Sequence, residues 1–194
     1  MSPSRISPAP GVRPWSLGVA GVSGTDPSPL SPFVIVGLGN EIASDDAVGL
    51  HAAGALADEF CDRDDVEVVA LPWAGFALLD VLRNRKRAVL IDSLATGAHR
   101  PGAVVRLGEG DFGGSVRLNS FHDINYPTVM ALGRSMGWEM PDEVAIWGVE
   151  TAVTDEFGEE LTPDVERAIG VVTNQVAAFI NGTDAAIDER PGVP

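Results

Sequence analysis

A three-layer α/β/α sandwich on a mostly parallel five-stranded sheet is the fold class that the sequence predicts. Three observations predict it. "FVIVGL" is a short β-branched run with no polar residue, the pattern of a strand covered on both faces, and four more strand-like segments follow it along the chain. Helix-favouring stretches with apolar residues near helical spacing alternate with them, and this alternation is what builds a parallel sheet with helices on both sides. The length, 194 residues, suits one well-buried domain rather than two.

The first 32 residues, rich in Pro, Ser and Gly, read as a disordered tail, and residues 181–194 as a flexible C-terminal tail. The domain is expected over 33–180. "FVIVGL" from Phe33 is the first strand. Asp45 or Asp46 follows where an N-cap belongs, and Ala47 to Cys61 is the first helix, with Val48, Ala52, Ala55, Leu56 and Phe60 on its apolar face. Val66–Leu71 is the second strand, Phe76 to Asn84 the next helix, Arg87–Leu94 the third strand and Ala103–Gly108 the fourth. A helix follows His122, with Pro127 in its first turn, where a missing N–H costs nothing. Glu143–Glu150 is the fifth strand. The closing helix starts at Thr162 with Pro163 at its first position, and Val165, Ala168, Ile169, Val172, Val176 and Phe179 form its apolar face.

Composition narrows the partners. The net charge is −15; Arg5 and Arg13 against Asp26 leave the tail at +1, so the rest carries −16. A field of that sign repels phosphate backbones, so nucleic acid is excluded as a partner and a basic protein surface or a cation suits better. Cys61 is the only cysteine, so neither an internal disulfide nor a thiolate cluster is available, and it reads as an inert structural thiol. No apolar run approaches the roughly 20 residues that cross a bilayer, and no signal-peptide pattern opens the chain, which makes the cytoplasm the default expectation.

In open α/β sheets, ligands bind outside the carboxyl ends of the strands. Those ends here carry Gly37-Leu38-Gly39-Asn40 with Asp45-Asp46, then Asp92-Ser93, then the loop Ser120-Phe121-His122-Asp123. A phosphate cradle fits poorly. Ile42 stands where a dinucleotide fingerprint has its third glycine, two carboxylates would oppose a pyrophosphate, and no Gly-Lys-Ser/Thr ending exists. Asp46, Asp92 and His122 form an oxygen-and-nitrogen set suited to a divalent transition metal with open positions. Each also has a plain structural use: a cap for Asp45 or Asp46, an Asx-turn for Asp92, a helix neighbour for His122. His51 reads as a helix residue and His99 as a solvated loop residue. Neither a Gly-x-Ser-x-Gly elbow nor a His-Glu-x-x-His pair is present, which removes serine hydrolysis and ordinary zinc proteolysis.

The ordered motifs "VGLGNEIASDDAVG", "AVLIDSL", "SFHDINYPTVMALG", "IWGVET" and "EELTPDVERAI" together resemble the nickel-hydrogenase maturation endopeptidases. The resemblance runs over the whole domain, and "ALPWAG" departs from the family's Asp-Gly-Gly-Thr-x-Gly loop, with Gly75 retained. It implies a phosphorylase/hydrolase-like sandwich, and Asp46, Asp92 and His122 as the metal-binding and catalytic set acting through the bound metal. It implies an aspartate- and metal-dependent endopeptidase that cuts a C-terminal peptide from a hydrogenase large-subunit precursor after nickel insertion. The nickel is then supplied by the precursor; no membrane partner is expected, and a monomer is one possible state. Asp45 is the structural member of its pair. A non-catalytic nickel-checking chaperone of the same fold is the alternative. Peptidyl-tRNA hydrolases share the opening "VGLGN", but Glu41 replaces their proline and the Thr-Arg-His-Asn run is missing.

Overall fold

The computed structural model describes residues 13–14, 30–72, 75–107, 126–152, 158 and 160–183. Its strands are β1 (Arg13–Pro14), β2 (Phe33–Gly39), β3 (Val66–Pro72), β4 (Arg87–Leu94), β5 (Val104–Leu107) and β6 (Glu143–Glu150). Its helices are α1 (Val48–Glu59), preceded by a 3-10 turn at Ser44–Ala47, then α2 (Ala77–Leu82), α3 (Tyr126–Ser135) and α4 (Pro163–Ile180). One sheet runs in the order β1-β3-β2-β4-β6-β5, with every pairing parallel except β5 against β6.

All five expected strands are present. The sixth position comes from Arg13–Pro14, which pairs with Val69 and Ala70 on the outer edge of β3. Two residues, one of them a proline, carry no strand periodicity, so this pairing inside the expected N-terminal tail has no sequence signal. At the other end, Asn181–Thr183 close α4, the Thr183 N–H donating to Ala178 O at 2.9 Å.

The alternating faces of the strands divide the core in two. Ile35, Val89, Ile91, Ala145, Trp147 and Val149 pack against α1 and α4. Val34, Val36, Leu38, Leu90 and Ile146 pack with Leu78 and Leu82 of α2 and Val129 and Met130 of α3 on the opposite face. Burial on both faces explains why these strands read as continuous apolar runs rather than alternating ones. The α4 face is as expected, with Ile169 only partly buried. In α1, Ala53 and Ala57 are buried while Ala55 is exposed, a rotation of the expected stripe. The helix α2 is shorter than expected because Arg83 turns extended at ψ 144, so that the N–H of the left-handed Asn84 leaves the helix for Glu139 O at 2.7 Å. Cys61, read as an inert structural thiol, is free and exposed beyond the end of α1.

The chain order sets the position of the crevice. From β2 the chain moves outward through α1 to β3, then returns past β2 through α2 to β4. The order therefore reverses between β2 and β4, and α1 and α2 leave on opposite faces. Outside the carboxyl ends of these two strands lies the place where such sheets bind ligands.

A candidate metal-binding catalytic site

Asp46 reaches that crevice because small residues let α1 press against the strand ends. A Cβ on Gly37 would overlap the Gly49 carbonyl and lie 2.6 Å from Ala53 Cβ. A Cβ on Gly49 would overlap Leu38 O and Ile91 O, at the ends of β2 and β4 together. Gly39 meets the Asp46 carbonyl in the same way, and the Asn40 N–H donates to that carbonyl at 3.3 Å. The glycines of the Gly-Leu-Gly-Asn motif thus bring backbone against backbone and leave no phosphate cradle.

The aspartate pair does not cap its own helix. The residues before the 3-10 turn and before α1 are Ala43 and Ala47, with no side-chain cap on either. Asp45, 1% exposed, instead accepts the Thr162 N–H at 2.6 Å and the Thr162 hydroxyl at 2.9 Å. It holds the start of α4, where a negative charge complements the helix dipole. Ser44, left-handed at φ 47, is fixed beside it: its N–H donates to Gly158 O at 2.7 Å and its hydroxyl to Glu160 O at 2.6 Å. The turn is anchored on one side to the loop before α4, and Asp46 projects from its other side.

Asp46 is half-buried, and its Oδ1 accepts the Ser93 hydroxyl at 2.5 Å. Asp92, on the preceding residue of β4, is buried, and its Oδ1 accepts the Ser93 N–H at 2.9 Å. Burial pushes the Asp92 carboxyl up to about 7, the Asp46 charge adds to the rise, and the Ser93 N–H opposes it. Two carboxylates that repel each other in a crevice are a donor set a divalent cation relieves, so these two residues suit a divalent cation as such. Among the described residues no third His, Cys, Asp or Glu joins them. The expected third ligand, His122, lies outside the described residues, as do Trp73 and Ala74 of the departing loop. His51 is exposed on α1 and His99 is exposed in the loop after β4.

Ser93 is the member of the site that the sequence reading did not single out; its position directly after the strand-end Asp92 was the available signal. Glu150 was missed as well. It is completely buried at the end of β6, accepting the Gly97 N–H at 2.6 Å and the Thr96 hydroxyl at 2.7 Å. With the Thr151 N–H donating to Leu94 O at 2.6 Å, it ties the loop that leaves β4 to the neighbouring strand.

A family model described as HycI, hydrogenase maturation protease, matches residues 50–178, which include Asp92. The chain belongs to the hydrogenase maturation protease family. It is 27% identical over 150 residues to the hydrogenase 2 maturation protease of Escherichia coli strain K12, covering 76% of this chain and 90% of that one. It is 26% identical over 140 residues to the hydrogenase expression/formation protein HupD of Thiocapsa roseopersicina, covering 71% of this chain but only 62% of that relative's length. Two solved structures share the fold. The hydrogenase maturating endopeptidase HybD from E. coli superposes with a TM-score of 0.61 at 24% identity, over 78% of this chain and 93% of that one. HybD from Thermococcus kodakarensis gives a TM-score of 0.55 at 24% identity, over 76% and 97%.

Proposed function

We propose that this protein is an endopeptidase that removes a C-terminal peptide from a nickel-containing hydrogenase large-subunit precursor once nickel is in place. The observation that carries this reading is the meeting of Asp46 and Asp92 at the β2/β4 reversal, in a chain of the hydrogenase maturation protease family. Asp46, Asp92 and His122 hold the metal, and nickel arrives as part of the precursor. When bound, the cation supplies a Lewis acid beside the scissile carbonyl.

The chain's own groups do the rest. Asp92 and Asp46 present oxygens from two elements locked together by backbone contact, so the cation site is set before the substrate arrives. Burial and the Asp46 charge both disfavour the ionised form of Asp92 in the absence of a cation, and a bound cation would favour it. The acidic body, −15 in the whole chain, meets a complementary basic face of the precursor, and the cytoplasm is the proposed site of action. Among the described residues no helix is long and apolar enough to cross a membrane.

Incubating the protein with nickel-loaded precursor is expected to shorten the precursor by a C-terminal peptide, read by intact-mass spectrometry, with Asp46→Ala, Asp92→Asn and His122→Ala each abolishing the cut. Binding without shortening would show a nickel-checking chaperone instead. Equal treatment of nickel-free and nickel-loaded precursor would overturn the role of the metal.

A further inference from the structure

We propose that Ser93 is a positioning residue that presets the Asp46 carboxylate for a divalent cation. The proposal rests on the reading of Asp46 and Asp92 as a cation site and adds a third residue that sets its geometry. Serine at the end of a strand ordinarily turns its hydroxyl to nearby backbone. Ser93 instead reaches across the crevice to an oxygen 47 positions away, at 2.5 Å. Its backbone N–H meanwhile serves the carboxylate of Asp92 at 2.9 Å.

One residue therefore donates to Oδ1 of both carboxylates, and no other hydrogen bond among the described residues takes the second oxygen of either. That division leaves Oδ2 of Asp46 and Oδ2 of Asp92 for a ligand. It also turns the positive end of one N–H dipole to Asp92 and of one O–H dipole to Asp46, which eases the repulsion between the two carboxyl groups. Asp46 needs this support more than Asp92 does. It stands half-exposed on a 3-10 turn and caps nothing, so without Ser93 its side chain turns freely. Groups that orient a metal ligand in this way change metal affinity by about 10- to 100-fold when removed.

The test titrates nickel(II) ions alone into the intact protein by calorimetry, alongside thermal unfolding of the metal-free forms. Ser93→Ala is expected to weaken nickel binding about 10- to 100-fold. Ser93→Thr keeps the hydroxyl on a side chain suited to a strand and restores the affinity. Unchanged affinity in Ser93→Ala, together with its loss in Asp46→Ala, overturns the proposal and leaves the site reading standing. Unchanged affinity in Asp46→Ala as well, or no nickel uptake by the unsubstituted protein, overturns both. Equal losses in Ser93→Ala and Ser93→Thr, with metal-free melting temperatures lowered in step, assign Ser93 to strand packing and also overturn it.

Discussion

Replacing Asp92 by Asn should stabilise the metal-free protein, and by an amount that depends on pH in a defined direction. Asp92 is 5% exposed, and its carboxyl is raised from 3.8 to about 7, first by burial and then by Asp46. A group whose folded value lies above its unfolded one binds more protons in the native state across the interval between them. Native stability therefore falls as pH rises through that interval and levels off above it. With about 1.4 kcal/mol per unit, a rise of about 3 units corresponds to about 4 kcal/mol at full ionisation, as an upper bound. Asn carries no charge at any pH, and its amide oxygen still accepts the Ser93 N–H. Urea unfolding of both proteins in the presence of a chelator, from about pH 4 to about pH 8, isolates the effect, because the other carboxylates titrate in both. The difference should start near zero, grow across the interval and flatten only above neutrality, towards about pH 8. Adding nickel should shrink it, because a cation favours the charged carboxylate that Asn lacks. A difference that stays constant with pH, or a less stable Asn variant at neutral pH, would refute the reasoning.

Gly37→Ala places a methyl group into the Gly49 carbonyl, where only backbone can yield, so a loss of about 3 kcal/mol or more is expected in denaturant unfolding. Asp45→Ala strands the Thr162 N–H and hydroxyl and should cost about 1–3 kcal/mol, with Asp45→Asn recovering part of it. Amide exchange at the first turn of α4 should rise in the Ala variant and not at the far end of the sheet.

The first strand was legible because burial on both faces leaves an unbroken apolar run rich in β-branched residues, "FVIVGL", and α4 because Pro163 and a regular apolar face mark it without ambiguity. The pair Asp45-Asp46 shows where that reading stops. Two acidic residues before a helix look like a cap from sequence, since local spacing carries no information on Thr162, 117 positions further on. Asp46 and Asp92 could be placed at strand ends from the pattern, but that they repel each other across the crevice depends on how closely Gly37 and Gly49 let α1 approach. Ser93 and Glu150 act through partners in other strands, and their roles exist only once the sheet has formed. Ala55 was misplaced because alanine is small enough to sit on either side of a helix stripe.

The return of the chain past β2 has a consequence for how the protein comes into being. Asp46 and Asp92 stand side by side only when β2 and β4 are neighbours, and β4 reaches β2 only after α1, β3 and α2 have been laid down between them. Up to that moment each carboxylate is a lone oxygen donor, a weak ligand for any divalent ion. An unfinished chain emerging from synthesis thus has no assembled pair with which to sequester metal, and a chain cut short before β4 never acquires one. In a family devoted to finishing another protein, this pair of carboxylates exists only once β2 and β4 of its own chain have come together.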